Sequence, residues 1–173
     1  DLNGDGLDDL IVGAPMGDGG GTSAGDAYVV FGKEFGLGTL DLTSLAPADG
    51  FIIQGDMAGD RLGLSVSTAG DVNGDGIDDL IVGAHYGDDG GTDAGEAYVV
   101  FGRDVAGGTA AFGTLDLTTL APADGFIIQG DAADDRAGWS VSAAGDVNGD
   151  GAADLIVGAP LGDNGGTDAG EAY

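Results

Sequence analysis

The sequence predicts an all-β protein, an array of blades that each hold four antiparallel strands. Three observations lead there. The chain repeats itself, its apolar segments are short and rich in β-branched residues, and an Asp-rich loop recurs at Asp1, Asp71 and Asp146. No stretch carries a helical period.

Aligned with itself, the segment Gly70–Gly102 matches residues 1–32 and 145–173, and Leu40–Asp56 returns as Leu115–Asp131. The period is 70 and then 75 residues, and the five extra residues fall in Arg103–Gly113, which is therefore expected to be a surface loop. Within one repeat, Leu62–Ala69 alternates apolar and small polar residues and reads as a half-buried strand, with Ala137–Ala144 as its equivalent. The Asp-rich loop follows. Leu80–Ala84 is continuously apolar, as in a strand buried on both faces. A Gly-rich turn, Gly87–Gly95, leads to the strand Ala97–Phe101, and a longer connection ends in Phe126–Gln129, with Phe51–Gln54 as counterpart. Four strands per repeat is the pattern of a β-propeller blade. One blade cannot bury both faces, so blades must stack. About two and a half repeats are too few for a ring, and Asp1 falls inside a motif. The segment is expected to belong to a longer array or to be completed by other copies, with no separate domain boundary.

Composition narrows the function. Of 173 residues, 38 are Gly and 31 are acidic against 4 Lys and Arg, giving a formal net charge of -27. A chain so negative is repelled by nucleic acid and by anionic membrane surfaces, and no apolar run is long enough to span a bilayer. Only Glu34, Glu96 and Glu171 are Glu; the other acids are Asp, whose short side chain suits tight loops that converge oxygens on a cation.

The loops DLNGDGLDD, DVNGDGIDD and DVNGDGAAD share the frame D-x-N-x-D-G-x-x-D. Side-chain oxygens at positions 1, 3 and 5 alternate along a tightly turning backbone, and Gly at position 6 permits the turn. The ligands expected for one Ca²⁺ in the first loop are Asp1, Asn3, Asp5, the carbonyl of Leu7, and Asp9. In the second they are Asp71, Asn73, Asp75, the carbonyl of Ile77, and Asp79; in the third, Asp146, Asn148, Asp150, the carbonyl of Ala152, and Asp154. An EF-hand would place Glu at position 12, where this chain has Val12, Val82 and Val157, so position 9 must close the site. Position 8 is Asp8, Asp78 and then Ala153, which argues against a ligand there. Oxygen-only donors favour Ca²⁺ over transition metals.

These loops, each followed by LIVGAP or LIVGAH (Leu10–Pro15, Leu80–His85, Leu155–Pro160), resemble FG-GAP repeats, which build the β-propellers of integrin alpha subunits and of many bacterial secreted proteins. The resemblance assigns the GAP element to Gly13-Ala14-Pro15 and Gly158-Ala159-Pro160, with His85 replacing Pro in the middle copy. It assigns the FG element to Leu62-Gly63 and Ala137-Gly138, where Phe is missing. It also implies Ca²⁺ at loop positions 1, 3, 5, 7 and 9.

Weaker signals have bland readings. The turns Gly17–Asp26, Gly87–Glu96 and Gly162–Glu171 could hold a second cation through Asp18, Asp88 and Asp163, but plain hairpin loops are expected. Asp56–Arg61 and Asp131–Arg136 read as ion pairs between blades, His85 as a loop substitution, and Trp139 as a packing residue. Ser65 and Ser140 have no nearby His for a catalytic triad. The expectation is a non-enzymatic, calcium-stabilised, secreted or cell-surface repeat protein acting in adhesion, matrix structure or filament formation. Its partners would be other copies of the repeat, the same chain, or a protein or glycan ligand. The alternative is a propeller scaffold or accessory region of a secreted enzyme whose catalytic residues lie outside this segment.

Overall fold

The computed structural model describes residues 1–36, 38–105, 107–108 and 111–173. Three sheets follow one another along the chain. In the first, β1 (Leu10–Ala14), β2 (Asp26–Val30) and β3 (Gly50–Gln54) run antiparallel. The second holds β4 (Ser65–Gly70), β5 (Asp79–Ala84), β6 (Glu96–Val100) and, after the two-residue β7 (Leu115–Asp116), β8 (Gly125–Gln129). Its order β4-β5-β6-β8 is antiparallel throughout, the expected blade. The third contains β9 (Ser140–Gly145), β10 (Asp154–Ala159) and β11 (Glu171–Ala172).

The unbroken apolar run of β5 is explained by two cores. Leu80, Val82 and Ala84 enter a cluster with Val29, Phe31, Phe51 and Ile53 of the first sheet. Ile81, on the opposite face, joins Val141 and Val157 of the third sheet. In β6, Tyr98 and Val100 point to the first cluster while Ala97 and Val99 point to the second. Successive side chains of a strand leave opposite faces, so a middle blade needs apolar residues at every position. Identical LIVGA segments in β1 and β10 lack one of these neighbours: Leu10 and Ile156 are 57% and 45% exposed.

Blades join through their backbones. Arg61 N and Leu62 N, entering the second blade, donate to Ser23 O and Ala24 O of the first at 3.2 and 2.8 Å. Arg136 N and Ala137 N repeat this with Asp93 O and Ala94 O at 3.3 and 2.8 Å. The glycines of the two repeat motifs meet at these junctions. A Cβ on Gly13 would lie 1.9 Å from Gly63 O, and one on Gly83 would lie 2.0 Å from Gly138 O. Only a residue without a side chain lets the two backbones approach so closely.

Several expectations need correction. The strand foreseen from Leu62 begins at Ser65, and that foreseen from Ala137 begins at Ser140. The cause is left-handed backbone at Arg61 (φ 58) and Gly63 (φ 89), and at Arg136 (φ 61) and Gly138 (φ 80), which no strand continues through. The β7 strand, parallel to β3, and the single 3-10 turns Leu42–Ser44 and Leu117–Thr119 were not foreseen. Asp41 and Asp116 cap those turns by accepting from Thr43 N and Thr118 N. The segment Arg103–Gly113 is not simply a surface loop. Arg103 N and Val105 N donate to Leu2 O and Asn3 O at 2.8 and 2.9 Å, and Phe112 is buried, stacked on Phe51 with centroids 4.2 Å apart. Ala106, Thr109 and Ala110 of that segment lie outside the described residues.

Candidate metal centres

The three Asp-rich loops fold alike because their side chains organise their own backbone. Asp1 accepts from Asp5 N and Gly6 N at 3.0 and 2.8 Å; Asp71 accepts from Gly74 N, Asp75 N and Gly76 N at 2.7–3.0 Å. Asp146 does the same with Gly149 N, Asp150 N and Gly151 N at 2.7–3.1 Å. Asn3, Asn73 and Asn148 accept from the position-5 N–H, and Asp5, Asp75 and Asp150 from the position-7 N–H, all at 2.8–2.9 Å. Gly at positions 4 and 6 is left-handed in each loop, with φ between 73 and 96. Positions 1, 3 and 5 are thereby drawn onto one set of inward amides.

Position 9 closes each loop from the strand. Asp9 accepts from Leu2 N and Gly32 N, both at 2.8 Å. Asp79, fully buried, accepts from Val72 N and Gly102 N at 2.9 and 2.8 Å. Asp154 accepts from Val147 N at 2.7 Å. Burial raises the Asp79 carboxyl above the usual Asp range, and the Gly102 and Val72 amides partly oppose this. At position 8, Asp8 and Asp78 are exposed, and Asp78 Oδ2 accepts from the Asp1 amino group at 3.1 Å. The donor set fits a hard cation. It offers oxygen alone, and each carboxylate oxygen that accepts one N–H keeps a lone pair for a metal. The carbonyls of Leu7, Ile77 and Ala152 would complete each set.

A second acidic group draws on the turn Gly87–Glu96, but through other residues than Asp88, which the sequence suggested. Among the described residues, Asp56, Asp89 and Glu96 bring carboxylate oxygens within 4.8 Å of one another. They come from the connection after β3 and from the hairpin between β5 and β6, so only stacking of two blades unites them. Glu96 is buried and accepts from Asp89 N and from the Tyr98 hydroxyl. Burial, then the Asp56, Glu96 and Asp88 charges, push the buried Asp60 carboxyl up to about 7. The hint lay in Glu96 and Glu171, two of the chain's three Glu, set at equivalent positions. Asp18, Asp88 and Asp163 of the same turns accept from Ser23 N, Asp93 N and Asp168 N at 2.7–2.8 Å and so close the hairpin loops.

The expected pairs of Asp56 with Arg61 and Asp131 with Arg136 do not form among the described residues. Both guanidinium groups instead lie over the Tyr86 ring, at 4.8 and 4.9 Å from its centroid. Among the described residues the side-chain ion pairs are Lys33–Asp49 and Arg103–Asp124, at equivalent positions in consecutive repeats. His85 lies in the turn after β5, as expected of a loop substitution, but is 2% exposed and packs against Tyr86 and edge-on against Trp139. Burial, with Arg61 and Arg136 nearby, lowers its pKa to about 4. Ser65 Oγ accepts from Val141 N at 3.0 Å, joining the leading strands of two blades.

Stacked antiparallel blades, with an Asp-rich loop leading into β1 and others joining β4 to β5 and β9 to β10, define a propeller-type repeat protein. The FG-GAP repeat model matches residues 1–30, 62–100 and 137–173, and the chain belongs to the FG-GAP repeat family. It is 35% identical over 172 residues to phosphatidylinositol-glycan-specific phospholipase D of Bos taurus, covering 98% of this chain and 19% of that protein. The Homo sapiens phospholipase of the same name gives the same identity and coverage. Integrin alpha-PS2 of Drosophila melanogaster is 32% identical over 171 residues, covering 92% of this chain and 11% of that protein. The chain thus spans a fifth or less of the length of these relatives. Among the described residues no helix is long and apolar enough to cross a membrane.

Proposed function

We propose that this chain is a calcium-stabilised segment of an extracellular β-propeller, in which each Asp-rich loop holds one Ca²⁺ through positions 1, 3, 5, 7 and 9. The observation that carries this reading is the amide network around positions 1, 3, 5 and 9, repeated in all three loops. The ion offsets repulsion among the carboxylates of its loop and pins the hairpin joining two strands. Extracellular modules of this kind bind with Kd of about 10⁻⁴–10⁻³ M, so the array stiffens where calcium is abundant. The repeats starting at Asp1, Asp71 and Asp146 form one array without a domain boundary. It acts in adhesion, surface structure or filament formation, toward other copies of the repeat or a protein or glycan ligand.

The integrin relative supports an adhesive role. A second reading is favoured by the phospholipase relatives: the blades serve as the scaffold or accessory region of a larger secreted enzyme. Thermal unfolding with and without calcium tests the shared core of both. At a calcium concentration of 100 times Kd, each site adds about 2.7 kcal/mol of stability. A melting curve that a chelator leaves unchanged contradicts the proposal.

A further inference from the structure

We propose that Asp56, Asp89 and Glu96, with the buried Asp60 beside Asp56, hold a divalent cation, Ca²⁺ by its all-oxygen donors, at the junction of the first two blades and apart from the Asp-rich loops. Ca²⁺ binds oxygen at about 2.4 Å, so two oxygens on one ion lie no more than about 4.8 Å apart. The carboxylates of Asp56, Asp89 and Glu96 meet that limit together.

Two buried oxygens point to the missing ligand. Asp60 is 3% exposed and its Oδ2 has no hydrogen-bond partner; Asp56 Oδ1 is likewise buried and unpartnered. The Asp60 carboxyl lies within hydrogen-bonding reach of the Asp56 carboxyl, which turns it toward the cluster. A buried carboxylate with no donor is costly, and four in one place with no cation beside them are more so. Arg61, the nearest cation in sequence, is taken up by the Tyr86 ring.

The next junction supplies a natural comparison. There Asp131, Asp135 and Glu171 stand where Asp56, Asp60 and Glu96 stand here, with Asp135 Oδ2 likewise buried and unpartnered, and the difference is Asn164 in place of Asp89. Asn164 Nδ2 donates to Asp131 Oδ2 at 3.1 Å and to Glu171 Oε2 at 2.8 Å. An amide NH₂ thus bridges the two carboxylates. At the first junction the same place holds a third carboxylate, which donates nothing and itself accepts from Gln129 Nε2 at 3.2 Å, and a cation from solution would take the place of the bridging amide. The donors lie on both blades, and the ion would tie the Asp56–Asp60 connection to the hairpin before β6.

Calcium counting by equilibrium dialysis tests this, using Asp89→Asn, the exchange already present at the second junction. The substitution is expected to lower the number of ions per chain by one, and Asn164→Asp to raise it by one. As the loop residues are untouched, the differences stand whether or not the loops bind. Crystals of the unaltered protein soaked in Mn²⁺ are expected to show anomalous density among the four carboxylates. A count unchanged by both substitutions overturns the proposal, as does anomalous density confined to the loops.

Discussion

Truncating Asp79 to Ala separates the two tasks assigned to position 9. In the folded chain this carboxylate is fully buried and accepts from Val72 N and Gly102 N at 2.9 and 2.8 Å. Hydrogen bonds to a charged group contribute about 1.5–3 kcal/mol each, and two amides are left without partners on truncation. The gross loss is roughly 3–6 kcal/mol. Part is returned, because the buried charge is itself desolvated, the main cause of the raised Asp79 pKa. A net loss of about 3 kcal/mol is expected in chelator, read from urea unfolding. With calcium the gap should widen, since the wild type gains the energy of the second loop's ion and the variant does not. A loss under about 1 kcal/mol in chelator refutes the hydrogen-bond account. Equal losses with and without calcium refute the assignment of Asp79 as a ligand.

Other outcomes follow from the same geometry. Gly83→Ala forces a methyl to 2.0 Å from Gly138 O, so it should cost about 2–3 kcal/mol, whereas Gly113→Ala, with open space around it, should be nearly neutral by the same unfolding assay. His85 is neutral when folded, with its pKa lowered from 6.5 to about 4. The unfolded chain therefore binds the extra proton first, and stability falls as pH drops from 6.5 toward 4, by up to about 3 kcal/mol. His85→Pro, the residue of the other copies, should remove that share of the acid loss in parallel melts across this range. Ala153→Asp should leave calcium affinity in the third loop within a factor of about 2, because the loops differ at position 8 (Asp8, Asp78, Ala153) while the amide network around positions 1, 3 and 5 is the same in each.

Local order was legible wherever one repeat decides it. The Asp-rich loops close on their own amides, so residue type and spacing sufficed to mark them. The apolar run at Leu80–Ala84 likewise announced a strand covered on both sides. What depends on the neighbouring blade was hidden. The left-handed backbone at Arg61 and Arg136 delays two strands, and it follows from the hydrogen bonds to Ser23 O and Asp93 O across the junction. Tyr86 draws both arginines from the carboxylates they adjoin in sequence. Phe112 looked like part of a variable loop, yet it fills the space beside Phe51. Asp56 and Glu96 are separated by 40 positions, and no periodicity reveals that they meet.

A structure determined from crystals grown in calcium decides whether the Asp-rich loops are metal sites. One ion is expected in each loop, with oxygens of positions 1, 3, 5, 7 and 9 at about 2.3–2.6 Å. Loops that keep only their amide hydrogen bonds at saturating calcium, with no ion beside Asp1, Asp71 and Asp146, would contradict it.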